Sequence, residues 1–347
     1  MDGFDFRAIK LKQCINCFSV SQNEHYVAAV GDQIVIYQKN DWSVRCVIPS
    51  KVFSHPYSLQ FLSDHIFVVK NNRAQYMIYD VLKNEILWKF KVRGYDSIDI
   101  SMILSLDGKE IYDGLTHRNS VPCCSQLVIF PEARRYEIRD LSETFLQNNN
   151  WSDTDVPSSF RLKKGLDQRM YLLKTYNYSR LSQESFTMEY VLFHKPLDAQ
   201  SLWEPVKQWR FEDPIDFKSN FDGLFSIRSE RKLPIYFDEK YIVWNDYDCE
   251  NWQTGEHLSF DEQDRLTTPI RMRRKYYPQH DTDFWMVDRG FSVQFRQYAT
   301  WEKLPAFYAV EQSVNKGFCD LAILDNKGKT LIGTMSGLFL CDLQITK

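Results

Sequence analysis

"GKTLIGTMSGLFLCDLQITK", residues 328–347, is where the sequence stops. It reads as two short β-runs, 330–334 and 338–343, joined by a turn that contains Gly337, and a third run at about 319–324 precedes them. A four-stranded unit built from these runs lacks its outer strand. Near the opposite end, "FDFRAIKL", residues 4–11, is a strand-like run with no neighbour of its own before the next β-run begins near Cys14. The two ends complement each other. Residues 4–11 are expected to pair beside 338–343, joining distant parts of the sequence by backbone hydrogen bonds.

A signature recurs through the rest of the chain. "QIVIYQ" reaches Tyr37, "QYMIYD" reaches Tyr79, "QLVIFP" reaches Phe130 and "EYVLFH" reaches Phe193. "KYIVWN" reaches Trp244, "FSVQFR" reaches Phe295 and "GLFLCD" reaches Cys341. The intervals are 42, 51, 63, 51, 51 and 46 residues, each long enough for four strands with turns. Polar turns precede the anchors, as in "SVSQNEHYVAAV", "FLSDHIFVV" and the Asp-Gly turn of "LSLDGKEIY". Trp42, Trp88, Trp203, Trp252 and Trp301 follow anchors and suit packing between neighbouring sheets. A four-stranded sheet cannot cover both its faces alone, and stacking such sheets around an axis does.

The expected fold is therefore all-β: one domain over 1–347, a seven-bladed β-propeller whose last blade is closed by the N-terminal strand. The approximate blades are 12–50, 51–92, 95–140, 166–211, 219–262, 282–311 and 315–343 with 4–11. Insertions are expected at about 139–165, with a short helix or loop at 139–150, and at about 250–282. The segments "SLDGKEIYDGLTHRNSVPCCSQLVIFPEAR" and "LAILDNKGKTLIGTMSGLFLCDL" resemble WD40-type repeat propellers, over about two thirds of the chain. Asp80 and Asp342 follow their anchors as in that pattern. The resemblance is to a divergent member: Gly-His and Trp-Asp dipeptides are absent, and Tyr, Phe, Trp or Cys fills the usual tryptophan position. It implies a scaffold that binds other molecules.

With 43 basic and 46 acidic residues the formal charge is −3, which gives no global attraction to nucleic acid or anionic membrane. No apolar run reaches the ~20 residues needed to span a bilayer. Asp2 and Asp5 stand where a signal peptide would place a basic region, so a cytoplasmic location is expected. The eight cysteines are too dilute for a disulfide scaffold.

Candidate chemistry is sparse. Cys14 and Cys17 have a spacing usable by zinc, but no second pair exists and strand residues three apart point to opposite faces. His117, Cys123 and Cys124 have no fourth ligand. Asp246, Asp248 and Glu250 alternate as calcium ligands can, without the familiar loop, and Asp281 and Asp283 are spaced likewise. No metal and no cofactor are therefore expected. Nucleophile elbows and phosphate-cradling loops are absent from the sequence. The sharpest feature is "RMRRKYYPQH", 271–280, where Arg271, Arg273, Arg274 and Lys275 adjoin Tyr276 and Tyr277. A weaker cluster, Arg134, Arg135 and Tyr136, lies in "PEARRYEIRD". Arginine beside tyrosine anchors protein interfaces and can also clamp phosphates and stack bases; the same residues also suit a solvated loop. The expected function is a non-catalytic scaffold for a protein or peptide. A propeller hydrolase using axial carboxylates on a glycan or small molecule, and weak nucleic-acid binding through 271–277, are the alternatives.

Overall fold

The computed structural model describes residues 7–9, 15–97, 102–118, 124–141, 157–178, 185–198, 200–214, 232–245, 248–258, 271–277, 282–288, 293–298, 318–324, 329–334 and 337–342. All regular structure among them is β, in seven antiparallel sheets. Strand β1 (Arg7–Ile9) comes first in the chain. The next sheet takes β2 (Cys17–Val20), β3 (Tyr26–Val30), β4 (Ile34–Gln38) and β5 (Val44–Ile48) in order. The second takes β6 (Ser58–Phe61), β7 (Ile66–Lys70), β8 (Gln75–Asp80) and β9 (Glu85–Lys91). In the third, β10 (Tyr95–Ser97) and β11 (Ile103–Leu104) both pair β12 (Ile111–His117), followed by β13 (Cys124–Phe130) and β14 (Arg135–Asp140).

The fourth sheet is β15 (Pro157–Lys164), β16 (Arg169–Tyr178), β17 (Ser185–Pro196) and β18 (Glu204–Pro214). The fifth is β19 (Pro234–Phe237), β20 (Tyr241–Trp244), β21 (Cys249–Asn251) and β22 (His257–Leu258). The sixth contains β23 (Arg271–Tyr277), β24 (Thr282–Asp288) and β25 (Val293–Gln297). In the seventh, β26 (Phe318–Ile323), β27 (Lys329–Thr334) and β28 (Gly337–Asp342) are followed in space by β1. Arg7, Ala8 and Ile9 face Leu340, Phe339 and Leu338 in antiparallel register, so the strand foreseen at the head of the sequence does lie beside the last one.

Turn chemistry explains why the first hairpins of several sheets form. Ser21 Oγ accepts the Tyr26 amide at 3.0 Å and donates to Asn23; Ser105 Oγ accepts the Glu110 amide at 2.9 Å and donates to Asp107. Ser63 Oγ and Asp238 Oδ1 accept the amides of Ile66 and Tyr241 in the same way. These short polar side chains stand in for the backbone partners a tight turn lacks. Middle strands are buried almost continuously, as "YVAAV" and "IVIYQ" show, because neighbouring sheets cover both faces.

Apolar clusters join successive sheets. Val30, Ile36 and Met77 tie the first to the second; Tyr76, Ile78 and Leu127 tie the second to the third. Tyr112 and Val128 pack with Leu172 and Phe193, Leu192 with Trp244, and Tyr241 with Trp285. Strand β23 also lies against β26, and Ile15, Phe18 and Val35 pack on Leu331 and Leu338. At this last contact Gly333 permits the approach: a Cβ there would stand 2.9 Å from Ile15 Cγ2 and 3.1 Å from Phe18 Cδ1. Trp42, Trp88, Trp203 and Trp252 all join these inter-sheet clusters; Trp301 lies outside the described residues.

Three expected boundaries move. Residues 157–164, read as part of an insertion, form β15, and 271–277, read as an excursion, form β23. Both are edge strands, paired on one side only, so charged residues there carry a smaller desolvation cost than in a middle strand. Six of the seven anchors fall on the third strand along the sheet; Trp244 falls on the second, β20. The helix or loop expected at 139–150 begins as the end of β14, and 142–150 lies outside the described residues.

Candidate functional site

Strands β15, β19 and β23 are successive edge strands that touch one another. The Arg161 guanidinium donates to the Pro234 carbonyl at 3.1 Å, and Lys163 Nζ stands 3.3 Å from the centre of the Tyr236 ring. β19 in turn lies beside β23. The three strands, of eight, four and seven residues, carry Arg161, Lys163, Lys164, Arg271, Arg273, Arg274 and Lys275 and no acidic residue. In a chain whose charges nearly balance, that is a marked local excess.

Of the basic residues on β23, Arg274 is the one whose side chain is described, and it has an interior role. Its side chain is 14% exposed and meets Glu239, Asp283 at 2.7 Å, Asp238 at 3.7 Å and the Tyr298 hydroxyl at 3.0 Å. Its guanidinium carbon lies 3.7 Å from the Tyr298 ring centre. Asp238 is held from the other side by the hydroxyls of Tyr236 and Tyr298 and by two backbone amides of its own turn. Burial opposes the charge on Arg274, but the bonds it donates to Asp283 and Glu239 and the nearby negative charge outweigh it and raise its pKa. The sequence clue to this node is "FDEKY", 237–241, where two carboxylates sit in a turn just before an apolar strand. Arg271, Arg273, Lys275, Tyr276 and Tyr277 hold strand positions whose side chains lie outside the description.

The second predicted cluster lies on β14 and the turn before it. Arg134 is exposed with φ 48°. Arg135 pairs with Glu137 and covers the Phe130 ring at 3.8 Å, and Tyr136, 37% exposed, stacks on Phe90 at 5.0 Å. Hydrogen bonds from Arg135 and Arg139 hold the Glu137 carboxyl below its ordinary range. The structure describes no contact bringing this outer strand and β23 together, so the two clusters are treated as separate surfaces.

The carboxylates considered for metal or hydrolytic chemistry have individual partners. Asp248 accepts from Lys232 at 2.8 Å and His257 at 2.6 Å; burial pushes its pKa up, and these bonds outweigh that and lower it. Glu250 accepts the Trp209 indole N–H at 2.7 Å and pairs with Lys207. Asp283 is engaged by Arg274. Cys17 is buried outside any disulfide, and the His117 ring packs edge-on to Tyr95. Asp246, Asp281, Cys14 and Cys123 lie outside the described residues. Among the described residues no group of three or more His, Cys, Asp and Glu side chains is placed to hold a metal ion, and no helix is long and apolar enough to cross a membrane.

Grooves open on the surface of the described residues, two of them close to the first three sheets. One, of about 430 Å³, is lined by Asn16, Asp32, Ser50, His55, Tyr57 and Asn72. The other, of about 550 Å³, is lined among others by Gln22, Leu104, Leu106, Asp107 and Lys164. Asp107 is committed to its own turn, accepting from Ser105 Oγ and the Lys109 amide.

Lys195 illustrates a cost carried by the core. It is 2% exposed, sits 5.3 Å from the Trp203 ring centre and, among the described residues, donates to the Ser201 carbonyl at 3.4 Å. Burial, helped by the charge of Arg139 and opposed by Asp198 and Glu110, pushes its pKa down to about 8. The unfolded chain then binds the extra proton between about pH 8 and 10.5, so stability rises with pH across that window and is lost as pH falls through 8. Lys195→Met is expected to gain roughly 1–3 kcal/mol at neutral pH and to lose the alkaline rise. Urea titrations at pH 7 and pH 10 measure both effects; a destabilised variant with the rise intact contradicts them.

No protein-family model matches the chain, and no curated protein is significantly similar to it in sequence.

Proposed function

We propose that the chain is a seven-bladed, WD40-like β-propeller, one domain closed by β1, that works in the cytoplasm as a non-catalytic scaffold for a protein or peptide partner. The fold reading draws on the seven sheets, on the apolar clusters between successive ones and on the pairing of β1 with β28. A stack of sheets is a rigid frame, so its edges and loops present a surface at little ordering cost.

The single observation that carries the binding reading is the acid-free basic edge of β15, β19 and β23. The carboxylates nearest it, Asp238, Glu239 and Asp283, are taken up by Arg274, which leaves them poorly placed for acid–base work on a substrate. Affinity capture from the native host at modest salt, with wild type and Arg273→Glu compared, tests the reading. A partner retained by wild type and lost by the variant is the expected result. A partner indifferent to the reversal removes β23 from the interface, and failure of wild type to retain any protein overturns the scaffold assignment.

A further inference from the structure

We propose that the groove at one end of the first two sheets, lined by Asn16, Asp32, Ser50, His55, Tyr57 and Asn72, is a binding site for a neutral sugar of one or two rings. The site uses other strands than the basic edge of β15, β19 and β23, and the inference goes beyond the scaffold reading. Its walls come from corresponding places in the two sheets. Asn16 stands one residue before β2 and Tyr57 one residue before β6. The backbone amide of each donates to the last carbonyl of the next strand, Val30 at 2.7 Å and Lys70 at 2.8 Å. Asp32 lies in the turn between β3 and β4, and Asn72 in the turn between β7 and β8. Antiparallel pairing sets those turns beside the starts of β2 and β6. Ser50 and His55 belong to the connector that crosses from β5 to β6.

That connector is held in place by the fold itself. Phe53, 1% exposed, fills the apolar cluster shared by the two sheets. Asn71 donates to the Ser54 carbonyl at 3.0 Å while accepting the amides of Arg73 and Gln75, which ties the connector to the β7–β8 turn. Lys89 donates to the Val52 carbonyl. Between these ties His55 takes φ 50°, a left-handed conformation that a side chain disfavours and that surrounding bonds must maintain. Groups carried on so fixed a loop lose little freedom when a ligand binds.

The lining names the ligand. Two amides, a hydroxyl, a carboxylate, an imidazole and a phenol supply donors and acceptors together. A sugar hydroxyl needs both, since it donates once and accepts twice, and the Asp32 carboxylate can accept from two neighbouring hydroxyls at once. Tyr57, 40% exposed, adds a flat face for the C–H side of a pyranose ring. Among the described residues of the lining, Asp32 is the one fixed charge, and it disfavours an anion. An apolar side chain would cover these polar groups without satisfying them. The volume, about 430 Å³, falls within the roughly 300–1,000 Å³ of small-molecule sites.

Saturation-transfer NMR on the full chain tests this, with glucose, galactose, mannose, N-acetylglucosamine and their common disaccharides as probes. At least one probe is expected to take up saturation at its ring C–H protons, with Kd on the order of 1 mM. Tyr57→Ala and Asp32→Ala are each expected to weaken that binding by about tenfold or more, and Tyr57→Phe, which keeps the ring, to weaken it less. Asn72→Ala replaces either alanine variant that fails to fold. The phosphate ester of the bound sugar is expected to bind more weakly, and a capped trialanine peptide not to displace it. Saturation of no probe, binding unchanged in both alanine variants, tighter binding of the phosphate ester or displacement by the peptide overturns the inference. The basic edge is untouched by any of these outcomes, because Arg273→Glu tests it separately.

Discussion

Asp113→Ala is expected to cost about 3–5 kcal/mol, because it strands a lysine in the interior. Lys70 and Asp113 are both 0% exposed and meet at 2.6 Å between the second and third sheets. The other carboxylate oxygen accepts the hydroxyls of Tyr76 at 2.6 Å and Ser97 at 2.9 Å, and the Gly114 amide caps the first. Every acceptor site of Asp113 is thus used, by groups from four strands. Removing the carboxylate leaves an ammonium and a phenol buried without their acceptor. Asp113→Asn keeps an acceptor for the hydroxyls but cancels the charge, and is expected to fall between wild type and alanine. The double change Lys70→Met with Asp113→Leu removes both desolvation costs and is expected to recover most of the loss. Guanidinium titrations of the four proteins form the test. A loss below about 1 kcal/mol for Asp113→Ala, the range of an exposed pair, contradicts this account.

Nothing in the sequence marks that pair. Lys70 ends "IFVVK" and Asp113 sits inside "IYDGL", 43 residues apart, and single charges at strand positions read as solvent-facing. Covering both faces of each sheet brings them together, a property of the stacking and not of either strand. The middle strands were legible because they are apolar almost throughout, and the turns because Ser, Asn and Asp recur at the same place. Two edge strands, β15 and β23, were not. "PSSFRLKK" and "RMRRKYY" lack both the apolar run and the alternation of a half-buried strand, since only one side is paired and a charge there stays near water. The same circumstance split the candidate site. The 271–277 cluster was visible as charge, whereas Arg161 and Lys163 were hidden in a stretch read as an insertion, and two of the three carboxylates that claim Arg274, Asp238 and Glu239, come from a turn more than 30 residues upstream.

Arg274 and Arg273, adjacent in sequence, are expected to fail in opposite ways. Arg274→Met removes a cation that Asp238, Glu239 and Asp283 share, side chains that are 2%, 16% and 21% exposed. The carboxylates are left to repel one another, Tyr298 loses the guanidinium stacked on it, and the expected loss is roughly 2–4 kcal/mol, somewhat less than for a fully enclosed pair. Arg274→Lys keeps the charge but cannot bridge several carboxylates with one ammonium, so it should recover only part of the loss. Arg273 occupies the alternate position of the strand, opposite Met286, and Arg273→Glu is expected to shift stability by no more than about 0.5 kcal/mol while abolishing partner capture. Denaturant midpoints and capture yields, measured on both variants, separate a residue that holds two sheets together from one that meets a partner. If Arg273→Glu unfolds the protein and Arg274→Met spares it, the register of β23 is shifted by one residue, every position on it exchanges faces, and the binding reading tested through Arg273 goes with it.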